Sequence, residues 1–179
     1  AKKMQQVAKR NYEAIMEGLT AGVIMQDGSG EVLAANKRAA QIFDTSIENI
    51  YDLNEFKNLW NSTKKDGDPL SFEKSPPMNA VQSGAVESNV QIVFQTKSGE
   101  SRTLVINSQP LFEDNSPAPV SVVSSIIDVT RESKLEKEVH HQQVLFDAFQ
   151  DNTPHLSWMV NEGAQLLYAN ASFFKYLNI

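Results

Sequence analysis

Val120-Ser-Val-Val-Ser-Ser-Ile-Ile-Asp128-Val-Thr130 runs without interruption into Arg131-Glu-Ser-Lys-Leu135-Glu-Lys-Glu-Val139 and on to Phe149. The first half is β-branched and is preceded by Pro117 and Pro119, which predicts a strand. In the second half Leu135, Val139, Gln142, Phe146 and Phe149 recur at spacings of four, three, four and three. That is one apolar stripe on a helix, close to a heptad seam, and Gln142 is its polar member. Thr130 stands where an N-cap belongs, and Glu132 puts negative charge in the first turn, where the helix dipole favours it. A buried strand thus feeds an amphipathic helix with no flexible linker, an arrangement suited to transmission rather than catalysis.

Upstream, two more segments alternate with period two. Val90, Ile92 and Phe94 share a face against Gln91, Val93 and Gln95; Leu104, Ile106 and Ser108 share one against Val105, Asn107 and Gln109. Lys97-Ser-Gly99 turns the chain between them. Val122, Ser124 and Ile126 continue the inward face on the third strand. Earlier still, Gly22 to Gln26 and Glu31 to Ala35 read as strands about the Asp27-Gly28-Ser29-Gly30 turn. Asn36 caps a short helix; Thr45-x-x-Glu48 and Asp52-x-x-Glu55 mark two more as capping boxes. Lys64 to Pro69 reads as a solvated loop, and Ser75-Pro76-Pro77 opens a helix that Gly84 ends. Two strands, several short helices and three strands predict an antiparallel sheet with helices on one face, an α+β domain.

The chain has 179 residues, a net charge of −6 and 41% hydrophobic content, enough for one domain with additions. The acidic balance argues against nucleic acid as a partner. There is no cysteine, which excludes disulfides, thiolate metal sites and cysteine nucleophiles. No apolar run is long enough to span a membrane, and the start lacks a signal-peptide core, so a cytoplasmic segment is expected, whether or not its parent is membrane-anchored. At the N-terminus Met4, Ala8, Tyr12, Ile15 and Leu19 share one helical face. It is narrow, which favours packing on a partner over lying on a membrane. His140 and His141 lie in Glu138-Val-His-His-Gln-Gln, a solvated helical context with a single nearby carboxylate, so no metal site is expected. No nucleophile elbow or phosphate loop occurs, and no enzymatic activity is expected of this segment.

A shift of 134 positions, the separation of Asn36 and Asn170, lays the tail on the beginning without gaps. Ala148, Met159, Leu167, Ala169 and Asn170 fall on the identical residues Ala14, Met25, Leu33, Ala35 and Asn36. The expected organisation is an N-terminal amphipathic helix over 1–19, a domain over 20–130, a connecting helix over 131–150 and, over 151–179, the start of a second domain.

From about Tyr12 to Thr130 the chain resembles the PAS superfamily of sensory domains. The matching parts are Gly22-Val-Ile-Met-Gln-Asp27, Glu31-Val-Leu-Ala-Ala-Asn36, Lys97-Ser-Gly99, Gln109-Pro110-Leu111 and Asp128-Val-Thr130. The resemblance implies a PAS fold: a five-stranded antiparallel sheet in the order 2-1-5-4-3, a pocket between sheet and helices, and an exit helix that drives an output domain. It implies a dimer and an output such as a histidine kinase or diguanylate cyclase. It also implies that Asp128 and Thr130 fix the strand-to-helix turn, while Leu135, Val139 and Phe146 carry the helix stripe. The tail looks like the opening of a second PAS domain.

Departures from the family disfavour its two common cofactors. Flavin-binding relatives use a reactive cysteine and sheet amides; here the corresponding sheet positions hold Phe94, Leu104 and Ile126. Each unpaired polar group on a buried ligand costs roughly 1–3 kcal/mol. Haem-binding relatives use a histidine on a pocket helix, whereas His140, His141 and His155 all follow Thr130. Phe43, Phe56, Trp60, Val81, Ile92, Phe94, Leu104, Ile106 and Ile126 are the candidate pocket residues for an apolar small molecule; equally, they are residues that would fill a closed core. Two readings follow: a sensory module that senses a small ligand or mediates dimerisation and passes the signal through the helix after Thr130, and a ligand-free dimerisation and spacer module of a sensor histidine kinase or diguanylate cyclase. On the opposite sheet face Val93, Val105, Val123 and Ile127 call for a cover, and the N-terminal helix of the same or a second chain is expected to supply it.

Overall fold

A computed structural model describes residues 2–114, 116–152 and 155–178, the side chains of 2–6, 8, 9, 13 and 149–152 excepted. The chain divides into two units, residues 1–130 and 131–179. In the first unit a helix, α1 (Lys2–Gly18), precedes the hairpin β1 (Gly22–Asp27) and β2 (Val32–Ala35). Then come α2 (Lys37–Ile42), α3 (Ile47–Tyr51), α4 (Leu53–Leu59), β3 (Ser62–Lys64), β4 (Pro69–Leu70), a 3-10 turn at Phe72–Lys74, and α5 (Pro76–Ser83). Three long strands close the unit: β5 (Glu87–Gln95), β6 (Ser101–Leu111) and β7 (Ser121–Asp128).

All seven strands form one sheet in the order β2-β1-β7-β6-β5-β3-β4. Its first five members have the expected 2-1-5-4-3 order. The sheet is wider than expected, with seven strands rather than five. Ser62–Lys64 and Pro69–Leu70 do not form a plain loop; they fold as a small hairpin on the edge of β5, with Ser62 opposite Phe94 and Lys64 opposite Ile92. Gly67 (φ 93°) allows the turn, and Pro69, lacking an amide proton, sits in the outermost strand where no ladder bond is missed.

β7 lies in the middle, paired with β1 along one edge and β6 along the other. Ile106 stands opposite Ile126 and Ser108 opposite Ser124, so the period-two pattern puts these side chains on the helix-covered face. The core there comprises Ile24, Ile42, Phe43, Ile50, Phe56, Ile92, Phe94, Leu104, Ile106 and Val122, all at most 2% exposed. Each helix is seated by bonds that the sequence supplies. Asn36 caps α2 through Ala39 N–H, and Asp52 caps α4 through Asn54 and Glu55 N–H. Gly84 (φ 71°) ends α5. The cap of α3 is Ser46 rather than Thr45: Asp44 takes a left-handed turn (φ 53°) after α2, and the helix starts one residue late. Arg102 donates to the carbonyls of Gln41 and Ile42 at 2.7 Å each, tying the C-terminus of α2 to β6.

The described apolar side chains Val7, Tyr12 and Ile15 of α1 are exposed, as are Leu19 just after it and Ile127 on the sheet. The helix of this chain therefore leaves its stripe uncovered; Met4 and Ala8 lie among the side chains outside the description. In the second unit, α6 (Thr130–Asn152) is followed by the hairpin β8 (Trp158–Val160) and β9 (Leu166–Ala169), then α7 (Ala171–Leu177). Leu135, Val139 and Phe146 are exposed on α6. No helix among the described residues is long and apolar enough to cross a membrane.

Candidate functional site

Three places carry directed polar groups: the buried interior between helices and sheet, the half-buried junction where β7 becomes α6, and the buried Asn36 at the start of α2. The interior is built around Phe43. Its ring meets Phe94 at 5.0 Å and Phe56 at 5.5 Å between centroids, both nearly edge to face, and Trp60 at 6.3 Å. Phe72 joins them from the 3-10 turn, 5.7 Å from Phe56 and 5.9 Å from Trp60. Edge-to-face pairs of this kind each add about 0.5–1.5 kcal/mol beyond area burial. Trp60 is held in turn by its indole N–H, which donates to Leu70 O at 2.9 Å. The β3–β4 hairpin that widens the sheet thus also fixes one wall of the interior.

All nine candidate pocket residues come together on this side of the sheet. Phe43, Phe56, Trp60, Ile106 and Ile126 surround a small cavity; Val81, Ile92, Phe94 and Leu104 pack around it as core. The cavity measures about 10 Å³. That is room for about one water, against roughly 300–1,000 Å³ for sites that hold small molecules. Four lining residues escaped the sequence reading: Ile24, Gln26, Phe72 and Pro77. Gln26 is the important one, because it adds a buried amide to Ser108 and Ser124. Its place two residues after Ile24 on an alternating strand was the available signal. Its Nε2 donates to Gly30 O at 3.0 Å, and Ser108 and Ser124 hydroxyls bond each other at 2.8 Å. Gly30 is itself forced: with φ 90°, a Cβ there would stand 2.8 Å from the Phe72 ring.

Outside, an open depression of about 1040 Å³ lies between the β3–β4 hairpin and α5. Its walls carry Lys64, Lys65 and Lys74 together with Asp66, Asp68, Glu73 and Glu87, so both signs of charge line it and no single ligand chemistry is selected.

The junction is more sharply defined. The last ladder pair of β6 and β7 is Leu104 with Asp128. Beyond it, Val129 N–H donates to Thr103 O at 2.9 Å, and Thr103 N–H donates to the Thr130 hydroxyl at 2.9 Å. That hydroxyl donates to Asp128 Oδ1, which also accepts the Thr130 amide at 3.0 Å. The helix is therefore capped differently from the sequence expectation. Asp128, not Thr130, accepts the first helical amide, and the threonine hydroxyl is spent on β6. Both polar groups of the Thr103 backbone are thereby engaged by the two residues that leave the sheet.

At the other end of the unit, Asn36 is buried and bonded on every side. Its Oδ1 accepts from Val23 N at 2.9 Å and Ala39 N at 3.0 Å; its Nδ2 donates to Met16 O at 2.9 Å and Ala21 O at 3.0 Å.

The family model for the PAS fold matches residues 10–125. The chain belongs to the PAS family. PAS domains are sensory signalling modules and not catalysts. No curated protein matches the sequence. Among solved structures it is similar to the PAS domain of a Colwellia psychrerythraea protein, with 16% identity, a TM-score of 0.51, and coverage of 70% of this chain and 98% of that one. It is also similar to a PAS domain from a two-component sensor histidine kinase (8% identity, TM-score 0.51, 69% and 98% covered). A third is the Rhodobacter sphaeroides LOV protein, with 13% identity, a TM-score of 0.50, and 75% and 73% covered. At such identities the likeness concerns the fold.

The junction geometry generates one test. Thr130→Val leaves Thr103 N–H without its acceptor, an unmade bond that costs about 1–3 kcal/mol when buried. Amide hydrogen exchange at Thr103 and Thr130 is expected to rise about tenfold, with Ile106 unchanged and Thr130→Ser close to wild type. Equal exchange in the valine variant and wild type would remove the junction's special standing.

Proposed function

We propose that this PAS domain is a signal-relay module. Its central strand β7 and the Asp128–Thr130 junction pass a change in the sheet to α6, and through α6 to an output domain. The observation that carries this reading is the bonding of Thr103. Because its N–H and C=O are held by Thr130 and Val129, a shift of β6 against β7 alters the bonds at the root of the helix. The helix then follows with no intervening loop. As the family resemblance implies, the output is a histidine kinase or diguanylate cyclase domain in the parent protein.

We take the working form to be a homodimer. Supporting this, Tyr12 and Ile15 on α1, Ile127 on the sheet, and Leu135, Val139 and Phe146 on α6 are all exposed. Apolar stripes in those places are what a second copy would cover. Neither nucleic acid nor direct membrane contact has support in the acidic balance of the chain or in its helices.

Relay without a resident ligand is the favoured form, since Phe43, Phe56, Trp60 and Phe72 fill the interior and leave only about 10 Å³. A second reading, small-molecule sensing, draws on Gln26, Ser108 and Ser124, which would anchor a polar ligand once the rings repack. Flavin and haem have no supporting residues in that interior.

Two outcomes are expected. Four residues inserted after Ser133 turn the Leu135 stripe out of phase and change output of the parent protein; seven residues, two full turns of a heptad helix, preserve it. Indifference to both insertions contradicts relay through α6. Native mass spectrometry of the purified protein is expected to give the bare polypeptide mass per subunit, in dimers. A stoichiometric co-purified small molecule would instead establish the sensing form.

A further inference from the structure

The hairpin of the second unit repeats that of the first pair for pair. Displaced by the 134 positions between Asn36 and Asn170, the pairs Ile24 with Ala35, Met25 with Ala34 and Gln26 with Val32 become Trp158 with Ala169, Met159 with Tyr168 and Val160 with Leu166. Both hairpins slip register at the same step, after Met25 and after Met159. Both turns carry the same bonds. Asp27 N–H donates to Glu31 O and Gly30 N–H to Asp27 O; Asn161 N–H donates to Gln165 O and Ala164 N–H to Asn161 O, all at 3.0 Å. The left-handed residue is Gly30 in one and Ala164 in the other.

The asparagine that follows is used the same way. Asn36 Oδ1 accepts from Val23 and Ala39; Asn170 Oδ1 accepts from Ser157 and Phe173, both at 3.1 Å. Asn36 Nδ2 donates to Ala21 O; Asn170 Nδ2 donates to His155 O at 2.8 Å. Asn36 N–H donates to Val23 O, and Asn170 N–H to Ser157 O. An ordinary two-stranded hairpin fixes none of these: not the slip, the turn residue, the cap, nor the reach back to a carbonyl ahead of the first strand. Their coincidence at one offset marks duplication of a folding unit.

We infer that residues 144–179 are a second copy of the opening part of this fold, and that Asn170 is the positioning residue that fastens its hairpin to the helix after it. The copies differ in cover. β1 carries β7 on its outer edge, whereas among the described residues β8 pairs with β9 alone. Ile24, Val32 and Ile42 are 2%, 6% and 1% exposed; their counterparts Trp158, Leu166 and Tyr176 are 58%, 49% and 74% exposed. The second copy thus holds its shape by local bonds, and Asn170 contributes a larger share of its order than Asn36 does of the first.

Hydrogen exchange on the full 179-residue chain tests this. Asn170→Ala is expected to raise exchange at Ser157 and Phe173 about tenfold or more, the effect of losing one hydrogen bond of ordinary strength, with Val23 and Ala39 unchanged. Asn36→Ala is expected to raise exchange at Val23 and Ala39 by a smaller factor, with Ser157 and Phe173 unchanged. Asn170→Asp keeps the accepting oxygen and is expected to retain the protection of Ser157 and Phe173 while giving up the bond to His155. Unprotected Ser157 and Phe173 amides in the wild type, or no change in Asn170→Ala, would overturn the inference; so would an aspartate variant as fast as the alanine one.

Discussion

Everything in the first unit is referred to one strand. β7 is paired on both edges, with β1 and with β6, so it cannot slide without breaking two ladders at once. A one-residue slip would also turn Val122, Ser124 and Ile126 out of the core, because side chains alternate between faces. Its position is therefore fixed by the whole sheet, and Val129 and Thr130, which follow it, are tied to β6 by their bonds with Thr103.

The interior between helices and sheet is closely packed. Phe43, Phe56, Trp60, Phe72 and Phe94 fill the space between helices and sheet, leaving about 10 Å³. Close-packed interiors transmit displacement because they have little free volume in which to absorb it. The polar groups that remain, Gln26, Ser108 and Ser124, already have partners in one another or in the backbone. The β3–β4 hairpin contributes by accepting the Trp60 indole N–H, so it stabilises the aromatic cluster as well as the sheet edge.

Much of this was legible in the sequence, for identifiable reasons. Long strands with period-two alternation, such as Leu104, Ile106 and Ser108, declare both their structure and their inner face. Asn36, Asp52 and Gly84 mark helix ends because their side chains, or the lack of one, satisfy groups that helices leave open. The small hairpin was not legible: three residues and two residues, among lysines and aspartates, carry no periodicity, and charged, short, proline-bearing segments are how sheet edges look. Gln26 was passed over because a glutamine at the end of a short strand ordinarily faces water; only the fold brings it inside. Local sequence points to Thr130 as the cap of α6 because it cannot register a partner on another strand. Thr103, 27 residues away, takes the hydroxyl, and Asp128 assumes the cap.

The proposed relay requires ordered backbone from β7 into α6, across residues 126–134. Backbone 15N relaxation across Ile126 to Lys134 measures it directly. The account predicts order parameters of about 0.85 throughout, the value of ordered backbone, with no dip at Val129 to Ser133. A fall below about 0.6 at those residues, with high values restored on either side, would reveal a hinge and contradict it.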